Sequence, residues 1–145
     1  MRFNKKEQYG LLFVLYLCRS GRATIDNAAL NLNVPKSFLE QIARQLRLAN
    51  IVNSVRGFHG GHELACDPTV AEVLGALSDA PLVLTEPEFR FYTTGAAEHR
   101  ALGTLAKNVL TTLNVHLNRK VSNIGKELVA NELQALNRAS EGRAH

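Results

Sequence analysis

The chain has 145 residues, 46% hydrophobic and 21% charged, with a net charge of +4. That length supports one domain with a buried core, and the apolar content excludes an intrinsically disordered chain. Two cysteines, Cys18 and Cys66, exclude a disulfide-built scaffold and carry no CxxC spacing for zinc, which points to a reducing compartment. The charge is uneven, because residues 1–66 hold nine Lys and Arg against four Asp and Glu while residues 67–145 hold eight against nine. A basic half beside a near-neutral half suits a chain that meets a polyanion with one end and a protein with the other.

Residues 4–19 predict a first helix, apolar nearly all round and therefore enclosed by others. Its run Tyr9–Cys18 is apolar in nine positions of ten and follows Lys5 and Lys6. That pattern raises a secretory leader, but Tyr16 and Leu17 stand where cleavage before Cys18 needs small residues, and the run is half a membrane span. The expectation is a core helix of a cytoplasmic protein with no membrane attachment. Arg19, Ser20 and Gly21 stop it. Thr24 caps a short second helix, Ile25–Leu30, with Asp26 near its positive end. Asn31–Val34 turns the chain, and Pro35 occupies a first helical position. From Lys36 to Ala49, the residues Phe38, Leu39, Ile42, Leu46 and Leu48 predict the buried stripe of a third helix. Its other face collects Lys36, Ser37, Glu40, Gln41, Arg44, Gln45 and Arg47, groups that hydrogen-bond base edges or phosphates. Alone, such a set describes any solvated helix face.

The context decides between the two. Ile51, Val52 and Val55 predict a strand, Gly57, Gly60 and Gly61 a tight reversal, and Glu63–Ala65 a returning strand. A short helix, a turn, an amphipathic helix and a glycine-tipped hairpin make a winged helix-turn-helix. In that arrangement the second helix of the pair lies in the major groove of DNA and the hairpin, with Arg56 at its base, reaches the flanking backbone or minor groove. Asp67–Ala80 adds a helix that Pro81 ends. Residues 82–95 read as irregular, with Phe89, Phe91 and Tyr92 packing on the next helix or lining an effector surface. The longest helix runs from Glu98 to Lys120, and its stripe of Leu102, Leu105, Ala106, Val109, Leu110, Leu113 and Leu117 is too wide for one small domain to bury, so it predicts a dimer. Lys126–Leu136 adds a final short helix, and residues 140–145 are expected to fray. The fold class is mainly α: a DNA-binding unit over residues 1–80, an effector or linker loop over 81–97, and a dimerisation helix with a tail over 98–145.

The stretch from Val34 to Ala65, with its Leu-Glu-Gln helix and Val-Arg-Gly and Gly-Gly wing, resembles the Rrf2 family of transcription regulators, as do the opening residues and the long helix. The similarity covers roughly residues 1–125. It implies a sequence-specific regulator of the repressor kind that binds a palindromic operator as a homodimer. By resemblance, Ser37, Glu40 and Gln41 meet base edges and Arg56 enters the minor groove; Lys36, Arg44 and His59 complete the candidate contact set. Many members carry an iron-sulfur cluster on three cysteines after the fourth helix, whereas Leu82–Lys107 here contains none, so a three-cysteine cluster is excluded, iron sensing through other ligands is not, and no cofactor is expected.

Several other groups have both a chemical and a plainer role. His59, His62 and Cys66 have a spacing that a borderline metal accepts, but a hairpin is a poor cage, and His62 stands where the family commonly has an aromatic residue. Cys18 and Cys66 would serve a clusterless redox switch if either thiolate were activated, although a Cys in an apolar run is commonly a small core residue. His99 and His116 lie on the long helix, where interface packing is the ordinary role. An effector, protein or small molecule, remains open, as does an adaptor that kept the fold and lost DNA. No nucleophile, phosphate-loop, dinucleotide or zinc-protease motif supports an enzyme.

Overall fold

The computed structural model describes residues 4–79 and 97–142. Helix α1 spans Lys5–Ser20, strand β1 Arg22–Ala23, α2 Ile25–Leu32, α3 Lys36–Leu48, β2 Val52–Val55, β3 Gly61–Leu64, α4 Val70–Leu77, α5 Ala97–Leu117 and α6 Val121–Gly142. The expected loop over 81–97, with Phe89, Phe91 and Tyr92, lies outside the described residues, as do the side chains of His99, Leu102, Leu105 and Ala106.

Local chemistry sets most boundaries. Asn4 caps α1 through a reciprocal pair in which its side chain accepts from the Glu7 N–H at 2.8 Å and the Glu7 carboxylate accepts from the Asn4 N–H at 2.9 Å. Thr24 caps α2 as expected, accepting from the Asn27 N–H. Asn33 takes a left-handed conformation at the end of α2 (φ 53°), and Val34 buries its side chain under the turn while its N–H donates to the Ala29 carbonyl. Thr69 and Glu72 form a second reciprocal cap on α4, and the hydrogen bonds from Thr69 hold the Glu72 carboxyl below its usual range.

The three strands make one antiparallel sheet in the order β1-β3-β2, with Val52 opposite Leu64, Val55 opposite Gly61 and Ala23 opposite His62. The core gathers Phe13, Val14 and Leu17 of α1, Leu39, Ile42, Ala43 and Leu46 of α3, Val52 of β2, Val73 and Leu77 of α4, and Val121 of α6. The first helix is less enclosed than its composition suggests, since Leu12 is exposed. Leu48 is a clear correction: it is 75% exposed, because two residues past Leu46 a helix has turned it away from the core.

The C-terminal helices also depart from expectation. The last helix is 22 residues long and begins at Val121, not Lys126, because its first turn is fastened to the loop before α4. The Ser122 hydroxyl donates to the Asp67 carboxylate at 2.8 Å, the Lys120 ammonium donates to the Asp67 carbonyl at 2.7 Å, and the backbone N–H groups of Val121 and Val70 donate to Pro68 and Arg119. Ser140 lies within this helix instead of fraying. Leu117, placed in the dimer stripe by its spacing, is buried within the chain.

One close approach is critical. A Cβ on Gly10 would stand 2.0 Å from Leu77 Cδ1, with α1 and α4 in contact there and Leu77 itself fully buried. Gly10→Ala is expected to cost about 1–2 kcal/mol, overpacking outweighing the gain in helix propensity. Urea unfolding checks this; a variant as stable as the parent would mean that the two helices separate freely.

Candidate nucleic-acid interface

The inner stripe of α3, Leu39, Ile42, Ala43 and Leu46, is buried against α1 and its neighbours, and this fixes the rotation of the helix. With 3.6 residues per turn, the opposite side must carry Ser37, Gln41, Arg44 and Leu48 in one row, flanked by Glu40 and Arg47. All six are exposed. Thus Leu48, misassigned to the core, belongs to the same outward row as the polar candidates.

Lys36 has a different setting from its neighbours. Its ammonium lies 2.7 Å from the Asp26 carboxylate of α2, which raises the lysine pKa through that hydrogen bond and charge. Among the described residues no ion pair engages Arg44, Arg47 or Arg56.

The wing is built by backbone constraints. Residues 56–60 join β2 to β3; Gly57 has φ 110°, and the Gly60 N–H donates to the Gly57 carbonyl at 2.9 Å. Gly61 has φ 146°, and a Cβ there would meet the Ala23 carbonyl at 2.7 Å, so this position admits only glycine without parting β1 from β3. Arg56, Phe58 and His59 are exposed on the tip. Sequence reasoning missed the strap that holds it: Arg22 donates from Nε and Nη2 to Glu63 Oε2 (3.0 and 2.6 Å) and from Nη1 to the His59 carbonyl (3.2 Å). A two-residue strand leaves no periodicity by which β1 could have been found.

The proposed metal set is not brought together. His59 is on the tip, the His62 ring packs edge-on against Phe13, and Cys66 Sγ lies 3.9 Å from the Asn50 carbonyl. Among the described residues no three His, Cys, Asp or Glu side chains are grouped to hold a metal. The two cysteines do share one groove, about 1140 Å³, between the end of α1, the segment after β3 and α6. Burial, and secondly the Asp67 carboxylate, push the Cys18 thiol up from its usual value, away from the reactive thiolate.

These elements define a winged helix-turn-helix DNA-binding module. The Rrf2 family, described as an iron-dependent transcriptional regulator, matches residues 3–130, and the chain belongs to that family. It is a DNA-binding transcription regulator. The HTH-type transcriptional regulator CymR of Bacillus subtilis is 29% identical over 96 residues, covering 61% of this chain and 70% of CymR. The solved structure of CymR, the global cysteine regulator of B. subtilis, superposes with a TM-score of 0.65 at 21% identity over 88% of this chain and 98% of that one. The IscR structure from T. potens gives 0.63 at 20% identity over 88% of each chain. Among the described residues no helix is long and apolar enough to cross a membrane. The family's description names iron, but with two cysteines in the chain, on different elements, the donors for a three-thiolate cluster do not fit.

His62 gives this module a pH dependence. Its Nδ1 is buried without a hydrogen-bond partner, and burial, then the Arg47 charge, lower its pKa below the usual 6.5. The unfolded chain therefore takes up a proton before the folded chain does. The contribution to stability is complete above about pH 6.5 and declines as pH falls toward the depressed folded value. Melting temperatures measured from pH 7.5 to 5.5 should fall more steeply for the parent than for His62→Phe; parallel curves would remove His62 as the cause.

Proposed function

We infer that the chain acts as a cytoplasmic homodimer that represses transcription by occupying a palindromic operator. The observation that carries this is the outward row of α3 beside a strapped, glycine-built wing. In this reading Ser37, Glu40 and Gln41 address base edges, Arg44 and His59 hold phosphates, and Lys36, paired with Asp26, lies beside the DNA backbone without adding net charge. Arg56 enters the minor groove, and no three-cysteine cluster takes part. Two kinds of contact are separable. Gln41 presents an amide that donates and accepts at once, which suits adenine, so Gln41→Ala should cost about 1–3 kcal/mol on the operator and relax preference at one base pair. Arg56→Ala should weaken operator and scrambled duplex together and reduce the salt slope by about one. Titrations of both variants at several salt concentrations check this; equal weakening by Gln41→Ala, or an unchanged slope for Arg56→Ala, would overturn the assignment.

The dimer is assigned to α5, where Val109 is 50% and Val115 61% exposed within one chain. Isolated apolar residues on a long helix, beside half-buried Leu110 and Leu113, suit an interface with a second copy. Glu at both Val109 and Leu113 should yield monomers and abolish tight operator binding, since each half-site loses its linked partner. Sedimentation that finds an intact dimer would move the interface elsewhere.

A further inference from the structure

Phe58 is the large apolar residue with the least shelter among the described residues, 99% exposed, and it stands at the centre of the five-residue wing tip. Single exposed apolar residues are ordinary on protein surfaces, so exposure alone means little. The placement is unusual. The tip is an ordered turn closed by the Gly60 N–H to Gly57 carbonyl bond, with Gly57 directly before Phe58 and Gly60 two residues after it. Its aromatic neighbour is His59, edge-on with centroids 5.0 Å apart. Arg56 stands two residues before it, and the nearest carboxylate of the hairpin, Glu63, is already bound by Arg22. An apolar ring projecting from a cationic, backbone-thin tip matches a polyanion with stacked apolar planes inside.

We propose that Phe58 is a wedge that inserts from the minor groove between two base pairs beneath the wing. This rests on the reading in which the wing meets DNA and adds a second job to it: Arg56 supplies attraction, and Phe58 opens a step and bends the duplex away from the groove it enters. Phenylalanine is among the side chains that unstack a base step this way, and pyrimidine–purine steps yield most readily. The wing then reads sequence at a position where it makes no base-edge hydrogen bond. A TA or CA step is selected on each flank of the palindrome.

The chain has no tryptophan, so Phe58→Trp places a single indole on the wing tip. The probe is a duplex enriched by the parent protein from a random-sequence pool, with 2-aminopurine placed in turn at each flanking step. The indole should be quenched on binding. The parent should raise 2-aminopurine emission at one symmetric pair of steps, and Phe58→Ala should not. Phe58→Ala should also melt like the parent and bend the duplex less. It should bind the enriched duplex on the order of tenfold more weakly, with scrambled-duplex affinity and salt slope unchanged. Equal 2-aminopurine signals for parent and Phe58→Ala, with both bound, would overturn the wedge and leave the Arg56 contact standing. Indole quenching without unstacking would mean contact with the groove wall alone and would also overturn it. If Phe58→Ala and Arg56→Ala both matched the parent in affinity, bend and salt slope, the wing reading itself would fall, and this one with it.

Discussion

The clamp of α3 against α1 is the constraint on which the rest depends. Phe13, Leu39, Ile42 and Leu46 are almost wholly buried, and each contributes about 1.5–3 kcal/mol by leaving water. Turning α3 about its axis would expose several of them at once. Its outer row is therefore presented at one angle, and the short turn at Asn33 and Val34 sets the tilt of the helix on α2. The outward side chains of α3 are exposed and are aimed by residues buried on its opposite side.

Much of this was legible because it is periodic or capped. The helix-turn-helix follows from the Thr24 cap, Pro35 and the spacing of Leu39, Ile42 and Leu46, and the wing follows from its glycines. What escaped has a common physical reason: it depends on residues distant in sequence. Strand β1 exists because Ala23 pairs with His62, and the Arg22 strap needs Glu63 beside it. The first turn of α6 is set by Asp67, more than fifty positions earlier. Leu48 was misread for another reason, since hydrophobicity near the end of an amphipathic helix does not say which side of the helix is meant.

The clasp between Asp67 and Ser122 joins the C-terminal helices to the DNA-binding unit at the entrance to α4. Val121 is part of the common core, so α6 begins inside the unit that holds α3 in place. The groove that contains Cys18 and Cys66 lies along the same seam. Burial, with the Asp67 carboxylate, biases Cys18 in that seam toward the neutral thiol.

The pair formed by Lys36 and Asp26 has a thermodynamic consequence. A cation already balanced by a carboxylate at 2.7 Å brings no net charge to an approaching phosphate. The number of counterions released from DNA on binding follows net neutralisation, not the number of basic side chains on the surface. If α3 meets DNA as proposed, counting Lys36 with the arginines overstates that release for as long as the pair with Asp26 stays closed. In that reading this corner of the helix supplies little of the electrostatic adhesion that would hold the protein on the vast excess of competing, unrelated DNA.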